Sequence, residues 1–215
     1  MKIVSINIGR PEPIDPRRPE VRTGIYKRPV EGPVAVTRLG IAKDAVVDTH
    51  NHGGPDQALY LYSSDDYRWW ADQGVATEPG QFGENLTVSG LESSTLCIGD
   101  RLIAGGVEME VTAPRIPCAK FAAKMGDPGF VKRFRDAARP GAYLRVIAQG
   151  QLEAGQALRL VPFAGDRLTL EDHFELVFMK TLPGRDVVER LLALPIAERA
   201  RNIALAWRAA HLDNA

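Results

Sequence analysis

Strand-length apolar runs closed by glycine, proline or charge dominate residues 2–161, and this rhythm excludes most ways of building a domain. Stacked strand–helix–strand units need long crossover helices between their strands, and few of these runs leave room for one. Segments at 2–8, 24–27, 34–39, 45–49, 85–88, 96–98, 101–104, 108–112, 142–147 and 157–161 are predicted strands. Gly105 and Gly106 join two of them as a hairpin turn, and Gln149 with Gly150 bends the chain after another. The proline-rich segment 10–19 is a loop. One helix interrupts the series: Ser63, Ser64, Asp65 and Asp66 offer a cap and acidic first turn ahead of Tyr67, Trp69 and Trp70, and Gly74 ends it. Many short strands with such turns predict a mostly β fold, a closed or nearly closed barrel over residues 1–164.

The pattern changes near residue 166. Thr169 and Asp172 have capping-box chemistry before Phe174, Leu176, Val177 and Phe178. After the Pro183-Gly184 break, apolar spacing resumes over 186–194 and 196–210. Two or three short helices are expected across residues 165–215, for packing, for covering a site or for a homodimer contact. With 45% hydrophobic and 25% charged residues the chain has the composition of one ordinary globular core plus an appendage. It shows neither a secretory leader nor an apolar run of ~18 to 20 residues, so a cytoplasmic protein without membrane contact is expected. Cys97 and Cys118, its two cysteines, are then expected as free thiols.

A net charge of zero conceals segregation. Residues 10–43 carry eight Lys/Arg against four Asp/Glu, residues 44–100 one against ten, and residues 115–145 eight against two. Solvated faces explain this as well as two basic segments converging on an anionic small ligand. Nucleic acid is not expected, since no zinc finger, helix-turn-helix or basic total is present.

Three segments could carry chemistry. His50 and His52 share a face if extended, and Gly53-Gly54-Pro55 makes a turn that lets backbone approach a ligand, with Asp56 placed to orient an imidazole. Local fastening of a glycine-rich turn explains His52 equally. Gly83-Glu84-Asn85 projects polar groups from a strand end, or is merely a turn. The sharpest is Pro114-Arg115-Ile116-Pro117-Cys118-Ala119-Lys120. Its prolines restrict the backbone that carries the thiol, and its Arg and Lys favour the thiolate, the form that binds a metal or attacks an electrophile. Cys97, between Leu96 and Ile98, is expected in the core. A Cys118–His hydrolase lacks the usual surroundings of such a nucleophile, and zinc held by Cys118, His50 and His52 matches no compact zinc spacing. Both remain open.

Together, His52-Gly-Gly-Pro-Asp56-Gln-Ala-Leu-Tyr-Leu-Tyr62, Gly83-Glu-Asn-Leu86, Cys97-Ile-Gly-Asp100 and Pro114-Arg-Ile-Pro-Cys118 resemble the ordered motifs of the MOSC family, named from the C-terminal part of molybdenum cofactor sulfurase. Thr23-Gly-Ile-Tyr-Lys27-Arg-Pro29 and Gly141-Ala-Tyr143-Leu-Arg-Val146 fit its standalone bacterial branch, which also has a small helical addition at the C-terminus. The resemblance spans about residues 20–161.

It implies a β-barrel-like fold and binding of molybdenum cofactor, a pterin dithiolene, with Cys118 as the metal's protein ligand or as a sulfur carrier. Some relatives are connected with reducing N-hydroxylated bases such as hydroxylaminopurines, which implies a molybdenum-dependent reductase with a detoxifying role. Lys27, Arg115 and Lys120 would contact the cofactor's phosphate or pterin edge, because an anionic group needs charged donors. Glu84 and Asn85 would shape the same pocket, while His52 and Asp56 would work beside Cys118 and handle the proton. Electrons would come from an external reductase, since the chain has no cysteine array for an iron–sulfur cluster and no nucleotide-binding glycine motif. Pyridoxal phosphate is not expected as a cofactor. The alternatives are a non-catalytic carrier of cofactor or persulfide, and the cysteine hydrolase.

Overall fold

The computed structural model describes residues 1–49 and 52–213. The chain runs β1 (Lys2–Gly9), β2 (Glu12–Pro13), β3 (Arg22–Thr23), β4 (Lys27–Pro29), β5 (Val34–Thr37), β6 (Gly40–Ile41), β7 (Leu59–Ser63), α1 (Ser64–Asp72), β8 (Leu86–Ser89), β9 (Arg101–Ala104) and β10 (Val107–Pro114). It continues through α2 (Ala119–Met125), α3 (Phe130–Ala137), β11 (Ala142–Ala148), β12 (Gly150–Leu152), β13 (Arg159–Val161), α4 (Leu170–Phe178), α5 (Arg185–Ala193) and α6 (Glu198–Asp213).

Eight strands form one sheet in the order β13-β9-β10-β11-β7-β8-β1-β4. Its pairs are antiparallel except for β7 with β8, which α1 separates in sequence. Period two divides its side chains into two cores. Leu59 and Leu61 of β7, with Ala142, Leu144 and Val146 of β11, enter an aliphatic cluster. Tyr60, Tyr62 and Tyr143, which alternate with them, join Tyr67, Trp70, Phe82, Phe121, Phe130 and Phe134 in an aromatic one. α1, α2 and α3 supply Tyr67, Trp70, Phe121, Phe130 and Phe134, half of the buried members of that second cluster. Leu170 of α4, Leu191 of α5 and Ala204 of α6 enter the aliphatic cluster with the strands, so the tail helices share the sheet's core.

The mostly β, barrel-type fold expected above is corrected by this topology. The protein is a mixed α/β domain, about 30% helix and 28% strand, with open sheets. A barrel needs every strand to have a neighbour on both sides. No ladder joins β13 to β4, the end strands; β1 and the residue before it meet the residues before β13 through one isolated bridge, Lys2 to Ala157, and backbone hydrogen bonds from Ile3 to Gln156, Gly155 to Ile3 and Leu158 to Met1, short of a strand pairing. Each end strand has three residues, and β4 ends on Pro29, which cannot donate to a further neighbour. Helices cover apolar surface that a barrel would bury by closing on itself.

Several local expectations hold. Ser63 and Thr169 cap α1 and α4, accepting from the amides of Asp65 and Asp172 at 3.0 Å each. Gly105 and Gly106 turn the β9–β10 hairpin with φ of +55° and +82°. Others fail. Residues 45–49 are irregular because their start is pinned: Ala45 donates to the Gly9 carbonyl at 3.1 Å, and Asp44 accepts from the Gly9 amide at 2.7 Å. Residues 96–98 make only an isolated bridge, Cys97 to Thr169. β7, all five residues buried, has no alternation to read, and α2 and α3 lie where the sequence reads mainly as basic. Among the described residues no helix is long and apolar enough to cross a membrane.

Candidate functional site

Sheet register builds the site. Tyr60 of β7 lies opposite Tyr143 of β11, which lies opposite Ala113 of β10, so one row of side chains leads to the end of β10. Pro114 ends the strand and Arg115 turns inward. The chain then passes Pro117 to Cys118, whose extended backbone precedes the first turn of α2 and whose carbonyl accepts from the amides of Phe121 and Ala122. The thiol is half-exposed and faces a solvent-open cleft. Lys27, His52, Tyr60, Arg115, Lys120 and Tyr143 share that cleft. Cys97, only 3% exposed, lies in the interior as expected.

Arg115 is the unusual member of the set. It is 4% exposed, donates to the Phe82 carbonyl, and lies 4.1 Å from the ring centroid of Phe121 and 5.0 Å from that of Tyr60. Its Nε has no partner, and no carboxylate pairs with it among the described residues. Aromatic faces offset part of the cost of burying this cation, but not the missing counter-charge. Gly83, at φ +78°, permits the crowding, because a Cβ there would stand 2.9 Å from Ile25 Cγ1 and 3.9 Å from the guanidinium.

The other cations are committed. Lys27 binds Asp44 at 2.5 Å in a buried pair, and burial pushes the lysine down while Asp44 offsets part of the shift. Asp44 also accepts from Asn85 Nδ2 at 2.9 Å, and Asn85 Oδ1 accepts from the Tyr60 amide at 3.1 Å. Asn85 thus lines the cleft and holds two of its walls. Lys120 pairs with Asp48 at 3.0 Å, partly in solvent, where such a pair contributes about 0–1 kcal/mol.

His52 donates its amide to the Asp48 carbonyl and places Nδ1 3.3 Å from the Tyr143 hydroxyl. Burial, then the Arg115 charge, push its pKa down, so the imidazole is neutral at pH 7. His50 lies outside the described residues. Among those described, no three His, Cys, Asp or Glu side chains converge as a metal-holding group.

Two expected members stand apart from this cleft. Glu84 is fully buried behind it and accepts from the amides of Gly80 and Phe82 and the hydroxyls of Tyr67 and Thr87. Burial raises its pKa, and those donors work in the opposite direction. Asp56 faces a neighbouring cleft, where it pairs with Arg145 at 2.7 Å and accepts from the Glu198 amide at 2.8 Å. Burial opposes its charge, but Arg145 and that amide hold its pKa below the usual value. Sequence reasoning assigned no role to Tyr60, Tyr143 or Gln57 in the first cleft, nor to Arg199 in the second. The three lie inside the quoted motifs, whereas no motif marks Arg199.

Fold and site together define a mixed α/β protein whose cleft presents one thiol beside an uncompensated buried arginine. The MOSC domain model matches residues 48–159, and the chain belongs to the MOSC-domain family. Uncharacterized protein YflK of Bacillus subtilis is 35% identical over 162 residues, covering 74% of this chain and 72% of that one. A protein of Gibberella moniliformis called Reductase is 32% identical over 148 residues, 66% of this chain but 26% of the fungal protein. The crystal structure of YiiM from Geobacillus stearothermophilus superposes with a TM-score of 0.80 at 29% identity, covering 96% of this chain and 98% of that one.

Proposed function

We propose that this chain binds molybdenum cofactor through Cys118 and reduces N-hydroxylated bases such as hydroxylaminopurines. The family is often linked to molybdenum cofactor chemistry. The observation that carries the reading is Arg115: a buried cation without a carboxylate, with an orphan Nε, in the cleft that holds the thiol. A phosphate-bearing dithiolene is anionic and suits such a donor. A single protein thiolate suits a metal whose other ligands come from its own pterin. Bound there, the cofactor would supply the two-electron redox chemistry.

The chain's own residues would do the rest. Cys118 Sγ would hold the metal, Arg115 would neutralise and orient the anionic part, and Lys120 would exchange Asp48 for the ligand at the rim. Net reduction, R–NHOH + 2e⁻ + 2H⁺ → R–NH₂ + H₂O, consumes protons, and His52 Nδ1 with the Tyr143 hydroxyl forms a pair able to pass one inward. The electrons would come from a separate reductase. The fungal relative supports that division: it bears the name Reductase, and this chain corresponds to only 26% of it.

The test is production in a cofactor-competent host, followed by molybdenum analysis, detection of the oxidised pterin, and turnover of a hydroxylaminopurine with an artificial electron donor. Cys118→Ser should abolish turnover, whereas Cys97→Ser should act on stability. Protein free of both molybdenum and pterin would refute the reading. Loaded protein without turnover would make it a carrier.

A further inference from the structure

Gln57 stands in the partition between two clefts. The first holds Cys118; the second runs between the Pro55–Gln57 turn and the start of α6, where Glu198 and Arg199 line it. His52, Gly53 and Gln57 face both. The backbone amide of Gln57 donates to the Gly54 carbonyl at 3.3 Å, but its half-buried carboxamide makes no hydrogen bond among the described residues. A carboxamide offers a donor and an acceptor side by side. That pair complements an N–H beside a ring nitrogen, the edge of an aminopurine, which glutamine and asparagine bind bidentately.

The charges of the two clefts differ. The first gathers Lys27, Arg115 and Lys120, whereas the second sets Asp56 and Glu198 against Arg199, and Asp56 also engages Arg145. The second compartment therefore has no surplus cation to receive a phosphate. Its mixed walls suit a neutral ring rich in donors and acceptors.

We propose that Gln57 is the substrate-recognition residue of this site: its carboxamide reads the N–H and ring-nitrogen edge of an N-hydroxylated aminopurine, whose body lies in the second cleft against α6. Free bases are then taken in preference to their nucleoside 5′-phosphates. For the reacting end this rests on the reductase reading; for recognition of the base it does not.

Calorimetric titration of the purified protein with adenine, 9-methylpurine and adenosine 5′-monophosphate tests recognition directly. 9-Methylpurine presents ring acceptors and no N–H where adenine presents a donor beside an acceptor, so one carboxamide makes a single hydrogen bond to it. The wild type should bind adenine at least tenfold more tightly than either alternative. Gln57→Leu should weaken adenine by about 10- to 100-fold and erase the preference. Gln57→Glu, similar in shape but without the amide donor, should do the same, and it stands in should the leucine variant fail to fold. In turnover assays KM for a hydroxylaminopurine should rise by a similar factor, with kcat within threefold and molybdenum content unchanged.

Unchanged adenine affinity in a folded Gln57 variant would overturn the assignment, as would a wild type that binds adenine no better than the monophosphate. Loss of molybdenum in the variant would do so too, by moving Gln57 to the cofactor's cradle. A loaded wild type that binds adenine selectively but turns over no N-hydroxylated base would remove the reductase reading and leave the recognition role intact.

Discussion

Arg115 and His173 are two buried groups that cost stability, and they differ in what the cost accompanies. Arg115 lines a ligand cleft, and a desolvated, unpaired cation costs several kcal/mol before cation–π contacts of about 0.5–2 kcal/mol offset it. Arg115→Met should therefore leave the melting temperature of cofactor-free protein unchanged or higher while lowering molybdenum content at least tenfold. A parallel fall in both would make Arg115 structural. His173 of α4 is 2% exposed, its Nδ1 has no partner, and burial pushes its pKa down to about 4 from 6.5. The unfolded chain binds a proton below pH 6.5 that the folded chain refuses until about pH 4. Stability is then fully present above pH 6.5 and falls by about 3 kcal/mol as the pH drops through that window. Denaturant titrations at successive pH values should show this slope, and His173→Phe should flatten it.

At the scale of elements, α6 and the turn before β7 are tied together by Asp56. Its carboxylate accepts from the first amide of α6 and pairs with Arg145 of β11, which also binds Glu110 of β10 at 2.9 Å. This carboxylate acts as a helix cap borrowed from another element. Asp56→Ala should cost about 1–2 kcal/mol, read from thermal unfolding, and speed hydrogen exchange in the first turn of α6. The cofactor content should stay near that of the wild type, because Asp56 does not line the cleft of Cys118. Loss of cofactor without loss of α6 protection would return Asp56 to the reacting centre.

At the scale of the whole molecule, any ligand that binds only the folded chain stabilises it in proportion to its affinity, by about 4 kcal/mol at a thousandfold excess over Kd. Removing molybdenum cofactor should lower the melting temperature of the wild type and leave that of Cys118→Ser unmoved; equal shifts in both would separate the cofactor from this thiol. Much of the molecule was legible beforehand where the cause is local. The Ser63 and Thr169 caps, the Gly105-Gly106 turn and the proline frame around Cys118 depend on residues a few positions apart, which a sequence displays directly. β7 was not legible, since burial on both faces erases its alternation, and α2 and α3 are held by an aromatic cluster drawn from distant segments. Openness of the sheet was hidden for the same reason: closure depends on which strands meet, not on how many there are. The sequence by itself determined the family motifs, the two thiols and which one stands among charges. Only the tertiary structure decided that Asp56 and Glu84 leave the cleft, that Lys27 and Lys120 are already paired, and that Arg115 is not. Pairing and burial are sums over neighbours brought together from the whole chain, and no single stretch of sequence contains them.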